Sequence, residues 1–217
     1  MVISVGVGSV AISPADVLSV FLGEGSDLQR TLILELRLPR TLSAFATGGL
    51  LAVAGALMQV LLRNPLADPS IIGISAGAAM VAVAFIALSA QFNFSAQHHL
   101  PYASFLGALS VTSLVYLVSK QQKQININTL ILVGVAINAL AFAVIGLLSF
   151  YADDSALRLI NYWTMGSLGG ASWDNIKQAS PLLLLSLIGL WRLKEPMNLL
   201  LIGESQAQYL GVDTSKL

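Results

Sequence analysis

A chain of 217 residues with 56% hydrophobic and only 10% charged residues, and a mean hydropathy of +0.79, lies far from soluble domains, which carry about 25% charged residues. Zero net charge removes the electrostatic case for a nucleic-acid partner. The absence of cysteine excludes disulfides and thiol chemistry.

Residues 1–12 are apolar, too short to span a bilayer, and lack the basic flank of a signal peptide. Ser13-Pro14-Ala15-Asp16 combines a capping serine, a proline at the first helical position and an acid in the first turn. It predicts a short amphipathic helix to Leu22. Residues 23–27 read as loop. Residues 30–40 are mixed and end in Arg37-Leu38-Pro39-Arg40. The first full span is predicted near 41–62. Ala44, Gly48, Ala52 and Ala56 recur there every fourth residue and give one smooth face for a neighbouring helix.

The stretch Arg63-Asn64-Pro65-Leu66-Ala67-Asp68-Pro69 is the only charged interruption between two long uncharged runs. Its two prolines stop one helix and set the start of the next, so it reads as a short rigid turn at a membrane surface. Further spans are predicted near 70–90, with Gly73 and Gly77 at its start, and near 100–119 and 125–151. Lys120 to Lys123 form a polar break. Residues 153–175 read as re-entrant or interfacial, with Trp163 and Trp173 at headgroup level. A fifth span is predicted near 178–191, where Lys177 and Arg192 snorkel. Residues 199–212 read as a short amphipathic helix opened by Gly203, with Ala207 and Leu210 able to face a partner or the interface. A weak Lys/Arg asymmetry puts the Asn64–Pro65 turn in the cytoplasm.

The expected fold class is therefore all-α, a polytopic transmembrane helical bundle forming one domain over 1–217. It has about five full spans. The short apolar start and the polar end suggest a chain truncated at both ends. Gln59 and Asn138 are polar groups inside spans. They serve either as helix-to-helix hydrogen bonds or as lining of a translocation path. Arg37 and Arg40 stand just before a span and read as headgroup anchors. His98 and His99 read as a solvated loop. With no HExxH, paired cysteines, Ser-His-Asp set or Gly-x-x-x-x-Gly-Lys-Ser/Thr loop, the expectation is no catalytic residue, no metal, no cofactor, and no enzyme. A secondary transporter would need intramembrane acids, and no predicted span holds one.

Four linked motifs carry a resemblance. Arg37-Leu38-Pro39-Arg40, Gly55-Ala56-Leu57-Met58-Gln59, the Arg63–Pro69 turn and Ile72-Gly73-Ile74-Ser75-Ala76-Gly77-Ala78 occur in order at tight spacing. Together they resemble the permease subunits of bacterial ABC importers for iron-siderophore, haem and cobalamin. Tyr151 to Arg158 and Tyr162 to Trp173 look most like the haemin permeases. The resemblance implies a roughly ten-span permease of the bacterial inner membrane, of which this chain matches the second through sixth spans.

The implied cargo is haem or another iron chelate, with ferric siderophore or cobalamin as the alternative. The implied partners are a second permease copy, cytoplasmic ATP-binding subunits that hydrolyse the nucleotide, a periplasmic or lipid-anchored binding protein, and membrane lipid. By the same likeness, Arg37 and Arg40 would dock the binding protein through its carboxylates. Gln59, Asn138 and Arg158 would line the path, Arg158 also having Asp153 or Asp154 as a local partner. Gly203, Glu204, Ala207 and Leu210 would couple to the ATPase. Arg63, Asn64, Pro65 and Pro69 would form the cytoplasmic turn.

Overall fold

The computed structural model describes residues 5–6, 8, 10–92, 99–121 and 124–211. Most of these are helical. The chain forms two compact units, Met1–Val53 with Ser167–Glu195, and Ala54–Gly166 with Pro196–Leu217.

In the first unit, α1 (Pro14–Phe21) begins as its sequence dictates: Asp16 N–H donates to the Ser13 hydroxyl at 3.1 Å. Val17 and Val20 turn inward and join Val5, Ile12 and Ile33 in a small core. The loop expected at 23–27 is present up to Ser26, and the mixed stretch after it is helix. Ser26 and Gln29 close a capping box that opens α2 (Asp27–Arg30). A π-helical segment, Thr31–Arg37, then runs without a break into α3 (Leu38–Leu62). The first membrane-length helix thus starts well before residue 41. Pro39 has no N–H, and its ring would press on the carbonyl four residues back; the wider π ladder immediately before it accommodates that fault.

The small-residue face of α3 is present but bare. Ala44, Gly48, Ala52 and Ala56 are all exposed, and a Cβ placed on Gly48 would meet nothing within 4 Å. The helix α8 (Trp173–Leu200) is also longer than the span expected at 178–191. Lys177, Arg192 and Lys194 therefore all lie within this helix. Lys177 pairs with Asp174 at 3.5 Å on an exposed surface.

In the second unit, a 3-10 turn (Pro69–Ile72) leads into α4 (Ile74–Phe92), which packs on α5 (Leu100–Ser119) and α6 (Ile127–Tyr151). The crossing of α4 and α5 is a glycine contact. A Cβ on Gly107 would stand 2.6 Å from the Gly77 carbonyl oxygen, and one on Gly77 2.6 Å from Val111 Cγ2. Only absent side chains permit that approach. One apolar cluster joins Met58, Leu62, Ala67, Ile72, Val111, Val115 and Leu130. A second joins Ala82, Val83, Ile86 and Leu100 with Ala156 and Ile160 of α7 (Asp154–Met165).

In the polar break after α5, Lys120–Gln121 pairs antiparallel with Gln124–Ile125; Gln122 and Lys123 lie outside the described residues. Asn126 caps α6 through Thr129 N–H at 3.1 Å, so the fourth span begins at Ile127. Among the described residues, three helical stretches are long and apolar enough to cross a membrane: Asp27–Leu62, Leu100–Ser119 and Ile127–Tyr151. The apolar stretch Ile74–Ser89 is shorter.

Candidate functional site

The corner between α3 and α4 is built from its own side chains. Arg63, just past the last helical residue, adopts φ 49°, the left-handed cap usually left to glycine. Asn64 N–H reaches back to the Gln59 carbonyl at 3.1 Å. The Asn64 side-chain oxygen accepts from Leu66 N–H at 2.9 Å, an Asx turn that locks Pro65 in place. Ala67 N–H donates to the Asn64 carbonyl at 3.0 Å, and Ala67 is buried while Leu66 is 85% exposed.

Asp68 then caps the 3-10 turn, accepting from Ser70 N–H at 2.7 Å. The Ser70 hydroxyl, and then its N–H, hold the Asp68 carboxyl below its ordinary range. Pro69 takes the first position of the turn, and Gly73 at φ 81° ends it. The rigid turn predicted from Arg63, Asn64, Pro65 and Pro69 is therefore formed.

Two of the candidate path residues meet this corner. Gln59 is exposed on α3 and contributes its carbonyl as described. Asn138 of α6 donates its side-chain amide to the Ser70 carbonyl at 3.0 Å, a contact between an intramembrane helix and an irregular turn. The bond joins two segments far apart in the chain.

Arg37 and Arg40 do not precede a helix; they lie within one, at the end of the π segment and in the first turn of α3. Arg37 donates Nη1 to the carbonyls of Val5 at 2.9 Å and Gly6 at 3.1 Å, and Nη2 to that of Val10. It is half-buried and tied to its own chain. Arg40 is exposed and donates Nη2 to the Gly169 carbonyl at 2.9 Å. Near it, the Trp173 indole donates to the Leu34 carbonyl at 2.9 Å. Leu34 belongs to the π segment, where the ladder runs i to i+5. No periodicity in the sequence signals that pairing.

The segment predicted to be interfacial holds α7 and a glycine-rich turn. Asp153 caps α7, accepting from Ala156 N–H and from the Ser155 hydroxyl, both at 2.7 Å. Those two bonds hold its carboxyl low, and the Arg158 charge is the weakest contributor. The cap, rather than an arginine pair, fixes this carboxylate. Trp163 packs against the second apolar cluster. A cleft of about 380 Å³ is lined by Leu88, Leu148, Tyr151, Asp153 and Ala156 with neighbouring alanines; Arg158 is not in its wall.

At the far end, α9 (Glu204–Tyr209) opens at Gly203, whose φ is 129°. Ala207 is fully buried while Leu210 is 61% exposed, so only Leu210 of the two expected contact residues is presented outward. The side chain of Glu204 and residues beyond 211 lie outside the described residues, as does His98. His99 stands at the N-cap of α5. Among the described residues, no three His, Asp or Glu side chains gather as metal ligands.

A family profile described as the FecCD transport family matches residues 1–217. The hemin transport system permease protein HmuU of Yersinia pestis is 40% identical over 182 residues, 83% of this chain and 54% of the relative. The vitamin B12 import system permease protein BtuC of Vibrio vulnificus is 37% identical over 97% of this chain and 60% of the relative. A solved structure, described as an inward-facing conformation of a metal-chelate type ABC transporter, superposes with a TM-score of 0.80. Its identity is 30%, over 99% of this chain and 63% of that one. The chain thus spans between half and two thirds of the length of these relatives.

Proposed function

Because the chain belongs to the FecCD transport family, we propose that it is part of the transmembrane permease subunit of an ABC importer for iron chelates. Haem is the favoured cargo and the bacterial inner membrane the location. The observation that carries this reading is the family match along the whole chain. The 40% identity to a hemin permease favours haem. The 37% identity to a vitamin B12 permease, over more of this chain, supports cobalamin as the second reading.

In this reading the permease pairs with a second copy, and cytoplasmic ATPase subunits supply the energy. A periplasmic or lipid-anchored binding protein delivers cargo. The chain's residues divide the work. Arg40, exposed at the start of α3, docks a carboxylate of the binding protein through a bidentate fork. Arg37 supports that surface by holding the carbonyls of Val5, Gly6 and Val10. Leu210 and the helix opened at Gly203 meet the ATPase. The rigid Arg63–Pro69 corner faces the cytoplasm, and Gln59, Asn138 and Arg158 lie along the path. Transport is alternating access, in which nucleotide-driven closure shifts the bundle between two arrangements.

The test is uptake into proteoliposomes by the full-length permease with its ATPase and binding protein, comparing haemin, a ferric siderophore and cobalamin. Haemin uptake that needs ATP supports the assignment. Uptake of the siderophore or cobalamin without haemin refutes the cargo, and ATP-independent uptake refutes the mechanism.

A further inference from the structure

The 3-10 turn after the corner is an irregular stretch of backbone between two apolar helices. Irregular backbone among apolar segments needs a partner for each carbonyl that the helix ladder no longer satisfies. The Ser70 carbonyl has two acceptor positions. Gly73 N–H fills one at 3.0 Å. The Asn138 amide fills the other at 3.0 Å.

A second contact lies one helical turn away on α6. Gly134, four residues before Asn138, faces the Ile71 carbonyl oxygen so closely that a Cβ there would collide with it. That Cβ would also stand 3.0 Å from Ile72 Cα. The obstacle is backbone, which cannot swing aside. On the turn itself, Gly73 needs its positive φ, and a Cβ there would press on Val111 at 3.1 Å. Gly134 and Ile72 are both buried.

We propose that Gly134 and Asn138 form a socket on α6 that receives the Pro69–Ile72 turn, which makes Asn138 a positioning residue for the corner. The missing side chain at Gly134 admits the turn, and the amide of Asn138 fixes its register. From the socket, hydrogen bonds run back along the corner. Ser70 N–H reaches the Asp68 carboxylate at 2.7 Å, Ile71 N–H reaches the Asp68 carbonyl at 3.2 Å, and Ala67 N–H reaches the Asn64 carbonyl at 3.0 Å. A displacement of α6 therefore carries the corner with it instead of sliding past it. The role assigned to Asn138 in transport rests on the importer reading; the socket itself does not.

The experiment reads both levels. Hydrogen exchange of the purified full-length permease in nanodiscs is followed for wild type, Asn138→Ala, Asn138→Asp and Gly134→Ala. Gly146→Ala is the control on the same helix, where a Cβ would meet nothing within 4 Å. Asn138→Asp keeps the shape but sets a carboxylate oxygen against the Ser70 carbonyl. Loss of one hydrogen bond is expected to speed exchange at Ile71 and Gly73 by about threefold to tenfold. Gly134→Ala should speed it more, and Gly146→Ala should leave it unchanged.

In the reconstituted importer, Asn138→Ala should lower cargo moved per ATP hydrolysed while hydrolysis continues. Exchange at the turn that matches wild type in both Asn138→Ala and Gly134→Ala overturns the socket. A rise spread evenly over α4 and α5 means that Asn138 merely stabilises the bundle, and overturns the positioning role. So does a wild-type transport ratio in Asn138→Ala. Local exchange that rises in an assembly whose wild type moves none of the three cargoes leaves the socket standing and defeats the importer reading instead.

Discussion

Gly107→Ala and Gly48→Ala make the same chemical change on two membrane-length helices, and the structure gives them opposite signs. In a helix interior alanine is favoured over glycine by about 1 kcal/mol. At Gly48 nothing opposes that gain, because a Cβ there meets no atom within 4 Å. At Gly107 the new Cβ stands 2.6 Å from the Gly77 carbonyl oxygen and 2.7 Å from Val81 Cβ. One obstacle is backbone and the other the branch point of a stiff side chain, so neither can rotate away. Overpacking of this kind costs about 1–3 kcal/mol, and prising α4 from α5 forfeits further dispersion contacts. The net expectation is that Gly107→Ala destabilises by about 1–2 kcal/mol after the propensity gain, while Gly48→Ala stabilises by about 0.5–1 kcal/mol. Equilibrium unfolding of the 217-residue chain in mixed micelles, followed by far-ultraviolet circular dichroism, measures both. A Gly107→Ala variant as stable as wild type would refute the crossing geometry. Destabilisation by Gly48→Ala would show that the α3 face is packed rather than bare.

Two further outcomes follow from single hydrogen bonds. The folded Asp68 carboxyl titrates below its unfolded value, so its contribution is fully present above the ordinary carboxylate range and is lost only as pH falls through the lowered value. Exchange protection at Ser70 and Ile71 should thus be flat from neutral pH down to that range and fall below it. Asp68→Asn, which keeps an acceptor, should flatten the acid limb, and Asp68→Ala should lower protection at every pH; an unchanged profile in Asp68→Ala would disprove the cap. Trp173→Phe removes the indole donor to Leu34 and should cost about 1 kcal/mol in the same unfolding assay. No loss would mean that the π-segment carbonyl does not need it.

Helix starts were legible where the chemistry is local. Ser13 with Pro14 announced α1, and the prolines around Asn64 announced the corner, because capping and proline effects act within one turn of the chain. The Ser26–Gln29 capping box is equally local, and it starts a helix inside the stretch that reads as loop and mixed chain. It marks the true start of the longest membrane-length helix, Asp27–Leu62. The glycine crossing was half legible. Gly77 stood out through its spacing from Gly73, whereas Gly107, with Ala103 four residues before it, becomes a crossing point only when Gly77 is placed against it.

Side-chain roles were less legible, and the reason is the identity of the acceptors. Arg37 ends on the carbonyls of Val5, Gly6 and Val10, Arg40 on that of Gly169, Asn138 on that of Ser70 and Trp173 on that of Leu34. A backbone carbonyl occurs at every residue, so no residue type in the sequence marks it as a partner. A carboxylate partner would have left such a mark, which is why the sequence suggested Asp153 or Asp154 for Arg158. Yet Asp153 turns Oδ1 to the Ser155 hydroxyl and the Ala156 N–H, both of its own helix start. Two of the backbone acceptors, Leu34 in the π segment and Ser70 in the 3-10 turn, lie where the regular helix ladder is interrupted. Charge reversal at Arg40 changes an exposed side chain and tests the proposed docking directly, whereas the same change at Arg37 would first break its bonds to the carbonyls of Val5, Gly6 and Val10.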